Sequence, residues 1–201
     1  MKLFVKPGAC SLAPHIVLHE LGLPHEIDVV DTKAGKTASG QDYRAINPKG
    51  YVPALQLDDG TVLTEGAAIV QYLADNHPEK GLAPAPASVE RAHMQAWLNY
   101  TGAELHKNFA PLFNPDAPDA AKTMARENLA RRLALVNTHL ENRDYLLGSS
   151  FSVADPYLYV VLTWSRFVKL DLAPWPALTA YVERMAARPS VQAARAAEGL
   201  K

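Results

Sequence analysis

The sequence predicts an α/β domain followed by an all-helical one. Three observations carry this expectation. Short apolar runs alternate with helical patterns up to residue 79, "PEKGLAPAPAS" then breaks every pattern, and from Ser88 only helical periods remain. The α/β domain is therefore placed at residues 1–79, a linker at 80–87 and the helical domain at 88–201.

In chain order, "KLFV" (2–5) is a partly β-branched run that "KPGA" ends, so it reads as a strand. Leu12, Ile16, Leu18, His19 and Leu23 lie within a helical stretch that Gly22 helps to stop, with Ser11 as its N-cap. "EIDVVD" alternates apolar and polar residues, as a second strand does. "GQDYRAIN" reads as a short helix, and "VPALQL", "DDG" and "TVLT" as two strands joined by an Asp-Gly turn. "EGAAIVQYLADNH" is an amphipathic helix with Ala68, Ile69, Tyr72 and Leu73 on one side.

In the second domain, Met94, Trp97, Leu98, Thr101 and Leu105 form one stripe at offsets of three and four, and Leu129, Leu133, Val136 and Leu140 another. "FSVADPYLYVVLTW" opens with Ser152 and has Asp155 three positions on, so a carboxylate can answer the cap. Pro156 still falls in the first turn, and the rest is apolar nearly all round, as a core helix is.

Composition narrows the function classes. With 201 residues, 48 % of them hydrophobic, the chain can bury one or two sizeable cores. Twenty Lys plus Arg against 21 Asp plus Glu leave a formal charge of −1, which gives no long-range field for nucleic acid or a membrane surface. One cysteine cannot staple the chain, and no Cys/His cluster has zinc spacing, so no metal is expected and a reducing cytoplasm fits. Strand-like "KLFV" lacks the apolar stretch of a signal peptide, and "YLYVVLTW" is far short of the ~20 residues that span a bilayer.

The sole cysteine, Cys10, follows a strand and immediately precedes a helix, where N–H groups and the helix dipole stabilise a thiolate. Position alone fits a reactive thiol and an inert cysteine equally. Ala13 stands three residues on, so a dithiol cycle is excluded and an external thiol must complete any exchange. Pro53 lies just before a strand: a cis Val52-Pro53 bond would turn Val52 outward for a peptide-like ligand, but a trans proline opening an edge strand is the simpler account. Glu65 and Gly66 open a helix whose N–H groups can take a carboxylate while Glu65 holds an ammonium, and a plain acidic first turn explains them as well. Asn99 and His106, seven apart, share a direction at about 100° per residue, displaced from the buried stripe. A solvated surface is the blander explanation. His15, His19, His25, His77, His93 and His139 show no ligand spacing.

Together, "PGACSLAPH", "NPKGYVPAL", "LTEGAAIVQYL", "LNYTGAELHK", "FSVADPYLY" and "AEGLK" resemble the bacterial beta class of glutathione S-transferases. Each segment is moderately specific; six in this order, through the whole chain, are highly specific. The resemblance implies a thioredoxin-like first domain, an all-α second domain supplying the electrophile groove, and a homodimer with two sites between subunits. It implies glutathione as co-substrate, conjugated to hydrophobic electrophiles in detoxification. By the same resemblance, Cys10 sits beside the glutathione sulfur and can form a mixed disulfide with it. Pro53 is the cis proline and Val52 pairs backbone groups with the cysteinyl part. Glu65 and Gly66 hold the γ-glutamyl end, Asn99 and His106 lie by the thiol, and Glu104 reaches across from the partner subunit.

Two departures from the family pattern matter. Val5 stands where many relatives have tyrosine, leaving Ser11 or His106 to donate to a thiolate. Gly35 stands where a lysine commonly meets the glycyl carboxylate; Lys33 and Lys36 lie beside it, and by resemblance the role is carried over to Lys36. Two other activities fit the same residues: glutathione-dependent thiol–disulfide exchange at Cys10, and non-catalytic carriage of apolar molecules, with Phe109 and Phe113 in "NFAPLFNP" offering apolar walls.

Overall fold

In the computed structural model, which describes residues 1–200, β1 (Lys2–Val5) is the central strand of a five-stranded sheet. Its neighbours are β2 (Glu26–Asp31), parallel, and β4 (Ala54–Gln56), antiparallel. β3 (Lys36–Thr37) and β5 (Val62–Thr64) form the edges, each antiparallel to its neighbour, in the order β3-β2-β1-β4-β5. Leu3, Phe4 and Val5 are wholly buried, which is why "KLFV" is continuously apolar after Lys2 rather than alternating. β3 has only two residues, too few to show a period, and the sequence reading misses it.

α1 (Leu12–Leu21) ends at Gly22, whose φ of 69° lets the Leu23 N–H reach back to the Leu18 carbonyl at 3.0 Å. Ser11 is not the side-chain cap expected. Its hydroxyl accepts from the Lys6 N–H at 3.1 Å and donates to the Lys6 carbonyl at 3.3 Å, pinning the turn between β1 and α1. α2 (Tyr43–Ile46) is capped by Asp42 and sets Tyr43 against Phe4, Val30, Val52 and Ala54. α3 (Gly66–Asp75) buries Ile69, Val70, Leu73 and Ala74; Ala68 and Tyr72, expected on its inner face, are exposed.

The chain divides into two units, and one boundary differs from expectation. Residues up to Gly81 form the first unit together with the segment from Ala187, while Leu82–Ala186 form the second. The C-terminal helix α9 (Pro189–Ala197) therefore belongs to the α/β unit, where it packs on α1. Arg188 and the Ser190 hydroxyl both donate to the Glu20 carboxylate. Beyond the helix, the Glu198 carboxylate accepts from the Gly8 N–H at 3.0 Å and from His15 Nδ1 at 2.8 Å.

The second unit is helical: α4 (Val89–Tyr100), a π-helical stretch (Thr101–His106), α5 (Lys107–Phe113), α6 (Asp119–Leu140), α7 (Ala154–Thr163) and α8 (Pro176–Ala186). Met94, Leu98, Thr101 and Leu105 are buried as their spacing predicts, as are Leu129, Leu133, Val136 and Leu140; Trp97 is only half-buried. The Asp155 carboxylate joins three elements. It accepts from the Leu146 N–H at 2.9 Å, the Ser152 N–H at 2.8 Å and hydroxyl at 3.0 Å, and the Tyr181 hydroxyl of α8 at 3.1 Å.

Asp155→Ala strands these buried donors, each worth about 1–3 kcal/mol when unsatisfied. The expected loss is about 3–5 kcal/mol of unfolding free energy by urea titration, with the m-value unchanged. A loss under about 1 kcal/mol would show that the carboxylate is not the organising group.

Candidate active site

The turn pinned by Ser11 delivers Cys10 to the start of α1, partly buried and outside any disulfide. Its Sγ–H donates to the Val52 carbonyl at 3.3 Å, so thiol and backbone edge are direct neighbours. The Val52-Pro53 bond is cis, as the resemblance implies and against the simpler trans account. The Tyr51 carbonyl one residue earlier is held by the Tyr43 hydroxyl at 3.0 Å and Asn47 Nδ2 at 2.7 Å.

Pro53 leads on to α3. A Cβ on Gly66 would meet the Pro53 ring at 3.6 Å, so the N-terminus of α3 closes against the same bend. Glu65 just before it has φ 69°, a region that non-glycine residues rarely occupy and that recurs at ligand clamps. Its carboxylate accepts from Lys49 Nζ at 2.5 Å and the Tyr51 hydroxyl at 2.7 Å. That bond and charge raise the Lys49 pKa above its ordinary value. Cys10, Val52, Pro53, Glu65 and Gly66 thus form one continuous run of contacts, with Lys49 and Tyr51 added; the sequence reading missed both.

Two expected residues stand differently from what the resemblance implies. Ser11 is wholly buried and its proton is committed to the Lys6 carbonyl, so its side chain is not placed to donate to a thiolate. Lys36 stands exposed on β3. Beside Gly35 and Gly50 lies instead the Arg44 side chain, whose Nε is 3.7 and 3.8 Å from where their Cβ atoms would be.

In the second unit, Asn99 is exposed on α4 while His106 is largely buried. The shared direction argued at 100° per residue does not carry across residues 101–106, where i→i+5 winding turns each residue by less. His106 Nδ1 and the Tyr157 hydroxyl are 2.8 Å apart, and the Trp164 ring meets the imidazole edge-on at 4.6 Å. Burial first, then the Lys107 charge, lowers the His106 pKa to about 4, so the ring is neutral near pH 7. Phe109 and Phe113 each face Trp164 at 5.7 Å, extending an aromatic cluster. The Glu104 carboxylate accepts from Arg132 Nε at 2.5 Å within its own chain. His15, His19 and His25, given no ligand spacing above, converge in the first unit, with ring centroids 4.9–5.2 Å apart. No helix among the described residues is long and apolar enough to cross a membrane.

A thiol at a helix N-terminus, a cis-proline edge and an acidic helix start define a thiol-peptide-binding α/β unit joined to a helical one. Family models of the glutathione S-transferase N-terminal and C-terminal domains match residues 8–76 and 100–189. Glutathione S-transferase GstA of Escherichia coli O157:H7 is 50 % identical over the full length of both chains. A sphingomonad glutathione S-transferase complexed with glutathione superposes with TM-score 0.96 at 50 % identity, and the beta-class enzyme of Sphingomonas chungbukensis with 0.96 at 46 %; each pairing covers 100 % of both chains. The chain belongs to the glutathione S-transferase family. Within it, the protein is a bacterial beta-class transferase, an enzyme with glutathione as its co-substrate.

The depressed His106 pKa has a consequence for stability. The folded chain binds fewer protons at this site than the unfolded chain between pH 6.5 and about 4. Stability is therefore full above pH 6.5 and falls as pH drops through that window, by up to about 3 kcal/mol. Urea titrations of wild type and His106→Gln should diverge in slope against pH over this range; parallel profiles would place the imidazole in a wetter setting.

Proposed function

We propose that the enzyme conjugates the glutathione thiol to hydrophobic electrophiles, with Cys10 able to exchange disulfides with glutathione, as a cytoplasmic homodimer in detoxification. The observation that carries this reading is the contact of Cys10 Sγ with the Val52 carbonyl, which puts a thiol beside a backbone edge suited to a cysteinyl residue. Val52 pairs with the cysteinyl backbone of glutathione. The first-turn N–H groups of α3 take the γ-glutamyl carboxylate, and Glu65 takes its ammonium alongside Lys49 and Tyr51. Arg44, beside Gly35 and Gly50, is a better-placed cation for the glycyl carboxylate than Lys36.

Free glutathione, with a thiol pKa near ~8.5–9, is only a few per cent thiolate at neutral pH. Lowering that pKa by about two units requires about 2.7 kcal/mol of preferential anion stabilisation, which the α1 N-terminus and one or two hydrogen bonds can supply. The thiolate then attacks the electrophilic carbon, a C–S bond forms, and the leaving group departs with its electron pair. The aromatic cluster of Phe113, Trp164 and Phe109 suits an apolar acceptor. In the exchange reaction, the Cys10 thiolate attacks a glutathionyl disulfide and releases the other half as thiolate. A second glutathione thiolate resolves the Cys10 mixed disulfide to oxidised glutathione.

Exposed Tyr72 and Val89 offer apolar surface for a two-fold dimer. His106 acts as a neutral hydrogen-bonding ring rather than a cation. Glu104 can meet a partner's glutathione only by sharing or leaving Arg132.

Cys10→Ala should abolish disulfide exchange and only partly reduce conjugation of a chlorinated nitroarene. Exchange at the wild-type rate would remove Cys10 from that chemistry. Loss of both reactions from the wild type, with apolar ligand binding retained, would favour a carrier instead. Glu65→Ala and Arg44→Ala should each weaken glutathione binding, by about 1.5–3 kcal/mol for Glu65. Lys36→Ala should not. Calorimetric titration decides, and a weakened Lys36→Ala with an unchanged Arg44→Ala would reverse the assignment of the glycyl site.

A further inference from the structure

We propose that His15, His19 and His25 form a binding site for a divalent transition-metal ion of the zinc class. Helical spacing of four puts His15 and His19 on one face of α1, and the Leu23-Pro24 turn before β2 brings His25 against both. One ring nitrogen from each histidine lies within 4.8 Å of the other two. A tetrahedral ion with metal–nitrogen bonds of about 2.0–2.1 Å asks for about 3.4 Å between ligands. His19 and His25 are half-exposed, so small ring movements can close that difference.

Hydrogen bonding sets the rings up as ligands. His25 Nδ1 lies 2.8 Å from the Leu23 carbonyl, which has no proton to give, so Nδ1 carries it and Nε2 keeps a lone pair. The Glu198 carboxylate at 2.8 Å likewise accepts from His15 Nδ1–H and orients that ring. A carboxylate behind a ligating histidine is the recurrent outer-shell arrangement of zinc sites. His19 Nε2 is buried without a hydrogen-bond partner among the described residues, so it has no other compensation for its burial. Burial together with the neighbouring histidines also lowers the pKa of His19, and burial most of all that of His25, favouring the neutral, ligating form. A set made only of imidazole nitrogens suits Zn, Co, Ni or Cu(II) rather than Mg or Ca. The site is separate from the glutathione-binding residues, although Glu198 also holds the Gly8 N–H of the thiol turn.

The test uses the full chain, stripped with a chelator and titrated with Co(II), the visible absorption of low-coordinate Co(II) being the readout, and with Zn(II) against a chromophoric chelator. The expected result is one equivalent bound, with affinity at least about tenfold weaker in His19→Gln and in His25→Gln. Zn(II) should raise the melting temperature of the wild type and leave those two variants unmoved. His93→Gln and Cys10→Ser should bind as the wild type does. Absence of binding at ~100 μM Zn(II), far weaker than structural zinc sites, would overturn the proposal. So would unchanged affinity in both histidine variants, or loss of the Co(II) signal in Cys10→Ser.

Discussion

Glu198 accepts one hydrogen bond from the backbone of Gly8 and another from His15, and together with the Ser11 hydroxyl these bonds hold the thiol turn. A carboxylate side chain with no exposed surface is tolerated only where its oxygens are satisfied, so the pairings are mutually required. Gly8 N–H fixes one side of the turn and the Ser11 hydroxyl the other, leaving Cys10 between them facing the Val52 carbonyl. Gly8 has φ 73°, so its backbone can bend toward the carboxylate where another residue would resist.

The two units divide the labour along chemical lines. The α/β unit offers backbone and charge: the carbonyl at the Val52 bend, a helix N-terminus at Gly66 and a carboxylate at Glu65. Such donors suit a small peptide, whose own backbone and termini offer matching groups. The helical unit contributes rings, with His106, Phe109, Phe113 and Trp164 in edge-on or tilted contact. A neutral His106 fits that apolar setting, since an imidazolium there would need a counter-charge.

Much of this was legible in the sequence because it rests on local rules. The "KLFV" run, the Gly22 stop, the Asp59-Gly60 turn and the Ser152/Asp155 pairing each follow from a few adjacent residues. What was missed depends on distant partners or irregular winding. Nothing around Ser11 announces that its hydroxyl turns back to Lys6 instead of capping α1. The π-helical turn at 101–106 has no periodic signature, yet it alters which way Glu104 and His106 point. Lys49 and Tyr51 meet Glu65 only once β4 and β5 pair. The sequence reading found no ligand spacing among the histidines, because His25 joins His15 and His19 only across a turn whose path the sequence does not reveal.

Assignment of α9 and Glu198 to the first unit makes that unit discontinuous along the chain, with the whole helical unit inserted before its last piece. Gly8 and Glu198 are 190 residues apart, so on the ribosome the thiol turn is made long before the carboxylate that secures it. Until then the α1 face that α9 covers stays open, and the early segment resembles an unfinished intermediate more than an independent folding unit. The helical unit, contiguous and rich in local contacts, is free to fold in the interval and so shortens the loop that the final docking must close. Attachment of the segment that begins at Ala187 is then a late, long-range event in assembly. The geometry around Cys10 is completed only once the segment that carries Glu198 has docked.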